Sequence, residues 1–129
     1  MSDNSPIEIP AGSSISDLTE LVRHFCDNRN WGQFHSVRNL TLSLVGEVGE
    51  LAAEFQWIQD ENIDEELRAP GKRHAVGSEL ADVLTYLLLL ADVIDVDLET
   101  ALREKVTLNE VRYPIDKSSG SKEKYTTYE

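Results

Sequence analysis

The stretch Leu40-Thr-Leu-Ser-Leu-Val-Gly-Glu-Val-Gly-Glu-Leu-Ala-Ala-Glu-Phe-Gln-Trp-Ile58 decides the fold class. At about 100° per residue, Leu40, Leu44, Val45, Val48, Leu51, Ala52, Phe55 and Ile58 fill one arc of a helix, expected over residues 36–59. Glu47, Glu50 and Glu54 line up along the edge of that arc. A second stretch, expected to be helical over residues 73–94, repeats the arrangement. Its apolar arc is Leu80, Val83, Leu87, Leu90 and Ile94, flanked by a stripe of Glu79, Asp82 and Tyr86. Nowhere between the termini does a run of alternating β-branched residues suggest a strand, so the expectation is all-α.

Two more helices complete the expected antiparallel four-helix bundle. One spans 17–28, with Asp17 and Glu20 as its capping box and Leu18, Leu21, Val22, Phe25 and Cys26 along one face. The other spans 97–112 from an Asp97 N-cap and is stopped by Tyr113-Pro114. A loop with Trp31, Gly32, Phe34 and His35 joins the first two helices. An acidic connection broken by Pro70-Gly71 joins the next two. Residues 1–15 and 115–129 lack periodicity and are expected to be mobile tails around a single domain at 16–114.

The chain has 129 residues, 24 acidic and 12 basic, for a net charge of −12. Residues 115–129 hold three acids and three bases, so the whole excess lies in the preceding segment. An acidic surface repels nucleic-acid polymers and anionic lipid, which are bound by neutralising phosphates with Lys and Arg. Cys26, the one cysteine, forms no internal bridge and cannot anchor a thiolate zinc site. Val83 to Ala91 is too short to span a bilayer, which takes roughly 20 apolar residues. The opening Met1-Ser-Asp-Asn-Ser-Pro carries no basic region followed by an apolar run. These features lead to an expectation of a cytoplasmic location.

If the helices bearing Glu47/Glu50 and Glu79/Asp82 pack through their apolar arcs, four carboxylates meet at the seam. Partly buried like charges demand protons or a cation. The alternative is a solvated face paired with basic residues, but Glu50, Glu54, Glu79 and Asp82 have no base at i±3 or i±4. Oxygen-only ligands select Mg²⁺, Mn²⁺ or Ca²⁺, and Mg²⁺ joins carboxylates to substrate phosphates. A di-iron bundle would need Glu-x-x-His, which does not occur. On the 97–112 helix, Lys105, Asn109 and Arg112 share a side, as a polyphosphate would require. Trp31, Phe34, His35, Trp57 and Tyr86 supply aromatic surface for a base. Phe34 also suits the core, and His24 and His74 suit the surface. Gly46 and Gly49 each cost about 1 kcal/mol relative to Ala in a helix. With Ala53 they form a small-residue strip, expected to receive a helix of another subunit. The glycines do not form a P-loop.

Several segments together resemble the MazG-like all-α nucleoside triphosphate pyrophosphatases. They are Asn30-Trp-Gly-Gln-Phe-His35, Arg38-Asn-Leu40, Gly46-Glu-Val-Gly-Glu-Leu-Ala-Ala-Glu-Phe-Gln-Trp57, Glu79-Leu-Ala-Asp-Val-Leu-Thr-Tyr86 and the Lys105–Pro114 run, with Gly120-Ser-Lys-Glu-Lys-Tyr125 beyond it. The resemblance implies Glu47, Glu50, Glu79 and Asp82 as catalytic magnesium ligands, with manganese as a substitute and Glu54 joining or supporting them. It further implies a base and sugar pocket of Trp31, Gln33, His35, Trp57 and Tyr86, and phosphate contacts from Lys105, Asn109, Arg112 and Tyr113. The implied reaction converts a deoxynucleoside triphosphate, dCTP or base-modified dCTP, to monophosphate and pyrophosphate in a homotetramer of paired dimers. The segment 60–71 is short and acidic, which leaves dUTP or another triphosphate as an alternative. A non-enzymatic acidic adaptor is the rival from another class.

Overall fold

A computed structural model describes residues 13–129, every regular element of which is helical. The N-terminal part of the expected first tail, residues 1–12, lies outside the described residues. The chain forms two compact units, one ending at Asp95 and the other comprising Val96–Glu129.

The first unit is built on α1 (Ile15–Asp27), α2 (Val37–Ala53), the short α3 (Ile63–Arg68) and α4 (Pro70–Val93). The N-cap of α1 is Ser14, three residues before the expected Asp17. Ser14 Oγ accepts from the Asp17 amide at 3.1 Å, and Asp17 Oδ2 accepts from the Ser14 amide at 3.0 Å. Asp17 is thus the third residue of the helix, and Glu20 is not part of the box. Asn30, at φ 54°, turns the chain out of α1. Ser36 then caps α2 by accepting from the Asn39 amide at 3.1 Å.

Helix α2 ends at Ala53, six residues short of the expected end. The last turn tightens, with the Glu54 amide bonded to the Leu51 carbonyl and the Phe55 amide to that of Ala52. Lys72 Nζ, from the first turn of α4, donates to both the Glu54 carbonyl and its carboxylate, the latter at 2.7 Å. The acidic connection contains α3, whose first turn holds Asp64, Glu65 and Glu66 and whose last holds Arg68, the polarity its dipole favours. Pro70 does not break the chain here. It occupies the first position of α4, where its fixed φ and missing N–H cost nothing.

Glu54 meets Lys72 at one end of the α2–α4 pair, and Leu40 meets Leu89 in a buried cluster with Cys26 at the other. The two helices therefore run antiparallel. Val22, Tyr86 and Leu90 pack around that cluster, and Arg23 of α1 grips Asp92 of α4 through two hydrogen bonds, the Nε one at 2.9 Å. The core is small, and among the described residues only Leu40 and Leu88 are essentially sealed. Val45 and Val48, expected in the core, are 64% and 48% exposed, because the arc is wider than the surface α4 covers.

The second unit holds α5 (Leu98–Arg112), capped by Asp97 accepting from the Thr100 amide at 3.0 Å, and α6 (Ile115–Ser118). A 3₁₀ turn follows at Tyr125–Tyr128. The segment expected to be a tail thus carries helical turns of its own. Tyr125 and Tyr128 both pack edge-on against Tyr113.

Candidate active site

The antiparallel register of α2 and α4 sets Glu47 and Glu50, three residues apart on α2, against Glu79 on α4. One oxygen from each lies within 4.8 Å of the others. Glu47 Oε2 and Glu79 Oε2 are shielded from solvent with no hydrogen-bond partner. Such orphaned acceptors cost roughly 1–3 kcal/mol each, and more when charged. Burial raises the Glu47 carboxyl above its usual range, and the charges of Glu50 and Asp82 push it the same way. Burial likewise raises Glu79, with Glu50, Asp82 and Glu47 adding to it. Asp82 thus acts on the same cluster. An all-oxygen donor set with solvent-shielded, unsatisfied acceptors fits a hard divalent cation.

Glu54 is not part of this cluster. Its carboxylate is half-buried and neutralised by Lys72, so it staples the hairpin rather than bordering an ion. The sequence offered no sign of this, since the partner lies 18 residues away.

A cavity of about 500 Å³ opens beside the carboxylates, with Glu47 and Asp82 on its wall. Trp31, His35 and Tyr86 line it as expected, and its apolar side is Leu21, Val22, Phe25 and Leu89. That apolar side reads as ordinary core in the sequence. Phe25, 39% exposed with Trp31 edge-on against it at 5.7 Å, shows that the α1 face lines a space instead of filling one. Cys26 also faces the cavity, and burial pushes its thiol pKa up, as for an unreactive thiol. A neighbouring hollow of about 230 Å³ shares Trp31, His35 and Tyr86 and adds Phe34 and Asn39.

Two expected pocket residues lie elsewhere. The Gln33 amide donates to the Asn30 carbonyl at 2.9 Å, within its own loop. Trp57 is 87% exposed and lines neither cavity, because α2 stops before reaching it. Lys105, Asn109, Arg112 and Tyr113 all belong to the second unit. There Lys105 is exposed, while Asn109, Arg112 and Tyr113 are half-buried.

A match to the MazG-like family covers residues 42–127, including both carboxylate pairs. The chain belongs to the MazG-like family. It is 44% identical to dCTP pyrophosphatase 1 of Bos taurus over 94% of this chain and 72% of that protein. Identity to the Homo sapiens dCTP pyrophosphatase 1 is also 44%, over 88% of this chain and 66% of that one. Among solved structures, a pyrophosphatase from Archaeoglobus fulgidus superposes with a TM-score of 0.73 at 35% identity, covering 83% of this chain and 99% of that one. As in the sequence-based expectation, this MazG-like chain is all-α. No helix of the described residues is long and apolar enough to cross a membrane.

Proposed function

We propose that this MazG-like protein hydrolyses dCTP, and base-modified dCTP, to the monophosphate and pyrophosphate with magnesium, clearing them from the cytoplasmic nucleotide pool. The broader class, a nucleoside triphosphate pyrophosphatase and therefore a hydrolase, follows from its relatives. One observation carries the finer reading. The orphaned oxygens of Glu47 and Glu79 belong to a carboxylate cluster beside an aromatic-walled cavity of nucleoside size.

Glu47, Glu50, Glu79 and Asp82 would hold the ion. When bound, magnesium supplies charge neutralisation for the phosphates and acidifies a water. Trp31, His35 and Tyr86, which line the cavity, receive the base and sugar. Lys105, Asn109, Arg112 and Tyr113 hold the phosphates. Water oxygen bonds to the α-phosphorus as the bond to the bridging oxygen breaks, and pyrophosphate leaves in line. Glu47 or Glu50 orients that water and takes its proton. Hydrolysis of a panel of nucleoside triphosphates in ¹⁸O-labelled water tests this. Label is expected in dCMP, with dCTP the best substrate, and label in pyrophosphate or inorganic phosphate would overturn the attack on the α-phosphorus.

The functional form in this reading is a homotetramer of paired dimers. Val45, Val48, Leu80 and Leu84 are all at least 40% exposed in the single chain, and a Cβ at Gly46 or Gly49 would meet nothing within 4 Å. A second copy would cover this apolar face. Light scattering should give a mass of four chains.

A further inference from the structure

The second unit contains an arrangement that phosphate binding by Arg112 alone does not explain. Arg112 sits in the last turn of α5, and its guanidinium carbon lies 4.4 Å from the centroid of the Tyr125 ring, thirteen residues further along the chain. Two features bring that ring back. Gly120 turns the chain at φ 74°, a left-handed conformation suited to glycine, and the Ser121 amide bonds to the Ser118 carbonyl at 2.9 Å. The returning segment is then fixed by Lys117 Nζ donating to the Tyr128 carbonyl at 3.2 Å and by the Tyr128 hydroxyl bonded to Ser121 Oγ at 3.1 Å. Tyr113 sits edge-on to both Tyr125 and Tyr128, with centroids 6.1 Å apart in each pair.

The pairing of Arg112 points to a use for this fold-back. The ion pairs among the described residues are Arg23–Asp92, Lys72–Glu54 and Arg103–Glu99, so Arg112 has no carboxylate partner there. A guanidinium lying on an aromatic ring uses its face, and its N–H donors all lie in the plane, free for an oxyanion. A half-buried arginine over a ring, with no carboxylate partner among the described residues, keeps its donors available for an anion.

We propose that Tyr125 is a positioning residue, presenting the Arg112 donors to a phosphate group. The proposal rests on the reading that Arg112 binds phosphate, and the experiment separates the two. The full chain is assayed with dCTP and Mg²⁺ as wild type, R112M, Y125L, Y125F and the R112M/Y125L double variant. KM, kcat and the inhibition constant of added pyrophosphate are measured for each. Y125L should raise KM and the pyrophosphate inhibition constant together by about fivefold, the scale of a cation–π contact, while kcat changes less. Y125F keeps the ring and should match wild type. The double variant should be no worse than R112M alone, because Tyr125 acts only through Arg112.

If R112M leaves KM and the inhibition constant unchanged, the phosphate role of Arg112 fails and the proposal with it. If R112M raises both but Y125L does not, Arg112 binds phosphate without the shelf and the proposal alone fails. Equal effects of Y125F and Y125L would assign the role to the hydroxyl, and additive losses in the double variant would make Tyr125 merely structural. Either result overturns the proposal. Should Y125L loosen the C-terminal turn, the comparison of the double variant with R112M still decides, since general unfolding adds to the R112M loss.

Discussion

Carboxylates on the same pair of helices meet opposite fates. Toward the ends of the α2–α4 hairpin each is matched by a cation: Glu54 by Lys72, and Asp92 by Arg23 reaching from α1. In the middle, Glu47, Glu50 and Glu79 crowd within 4.8 Å with no base, and two of their oxygens are sealed without a partner. The chain supplies cations where a carboxylate holds helices together and withholds them where the carboxylates converge. The central cluster is costly to the fold by itself, which marks it as built for something that is not protein.

The largest expected effect sharpens that contrast. Glu50→Gln or Asp82→Asn should lower turnover by on the order of a hundredfold or more, since each removes a charge from a site asked to supply several kcal/mol of transition-state stabilisation. The helical circular dichroism spectrum should be unchanged. Near wild-type hydrolysis by either variant would erase the functional distinction between the centre of the hairpin and its ends.

The grouping of Glu47, Glu50 and Glu79 was legible in the sequence because a three-residue spacing on one helix and an acidic stripe on the other border arcs through which the two helices pack. The paired ends were not. Lys72 is far from Glu54 in sequence, and an i±4 search cannot find it. Helix α3, at six residues, is too short for periodicity to register. Pro70 is ambiguous by nature, since the ring that breaks a helix interior also starts a helix well. The helix expected over 36–59 includes Trp57, whereas the chain tightens at Glu54 and leaves Trp57 exposed. The cavity was hidden for a different reason. Leu21, Val22 and Phe25 have core-like spacing, and a sequence does not distinguish side chains that fill a core from those that wall a hollow.

Metal should act on the centre alone. Saturating Mg²⁺, at about 100 times its dissociation constant, should stabilise the wild type by about 2.7 kcal/mol. Thermal melts of Glu79→Gln should show little of this. In EDTA the order reverses. The folded-state pKa of Glu47 is raised by burial and by its acidic neighbours, so its ionisation destabilises the fold as pH rises through that value. Metal-free Glu47→Gln should therefore melt above metal-free wild type at pH 7, with the gap closing below the ordinary glutamate range. A lower melting temperature for the variant would mean that the cluster already has a counter-charge.

Lys72→Met tests one end. The substitution leaves a half-buried carboxylate and the Glu54 carbonyl unpartnered, at a cost of about 1–2 kcal/mol by denaturant melt. The stabilisation by Mg²⁺ should survive. If the variant loses it, the staple at Glu54 and the central cluster act as one unit.

The smallest effect is expected at the other end, and its sign makes it informative. Arg23 holds the Asp92 carboxyl below its usual value, first through their hydrogen bonds, with burial opposing and the guanidinium charge assisting. A lowered folded-state pKa contributes stability that is present above the unfolded aspartate value, near 3.9, and is lost as pH falls through the folded one. Arg23 is 49% exposed, so solvent screens the pair and limits it to about 1 kcal/mol or less. Asp92→Asn should thus cost up to that amount at pH 7 and nothing once acid protonates the wild-type carboxylate. Glu47→Gln in EDTA should show the opposite pH trend, gaining stability relative to wild type as pH rises. Urea melts of both variants from pH 3 to 7 bring the two trends onto one axis. Parallel slopes would show that both carboxylates respond to burial alone and that the division between paired ends and an unpaired centre has no energetic basis.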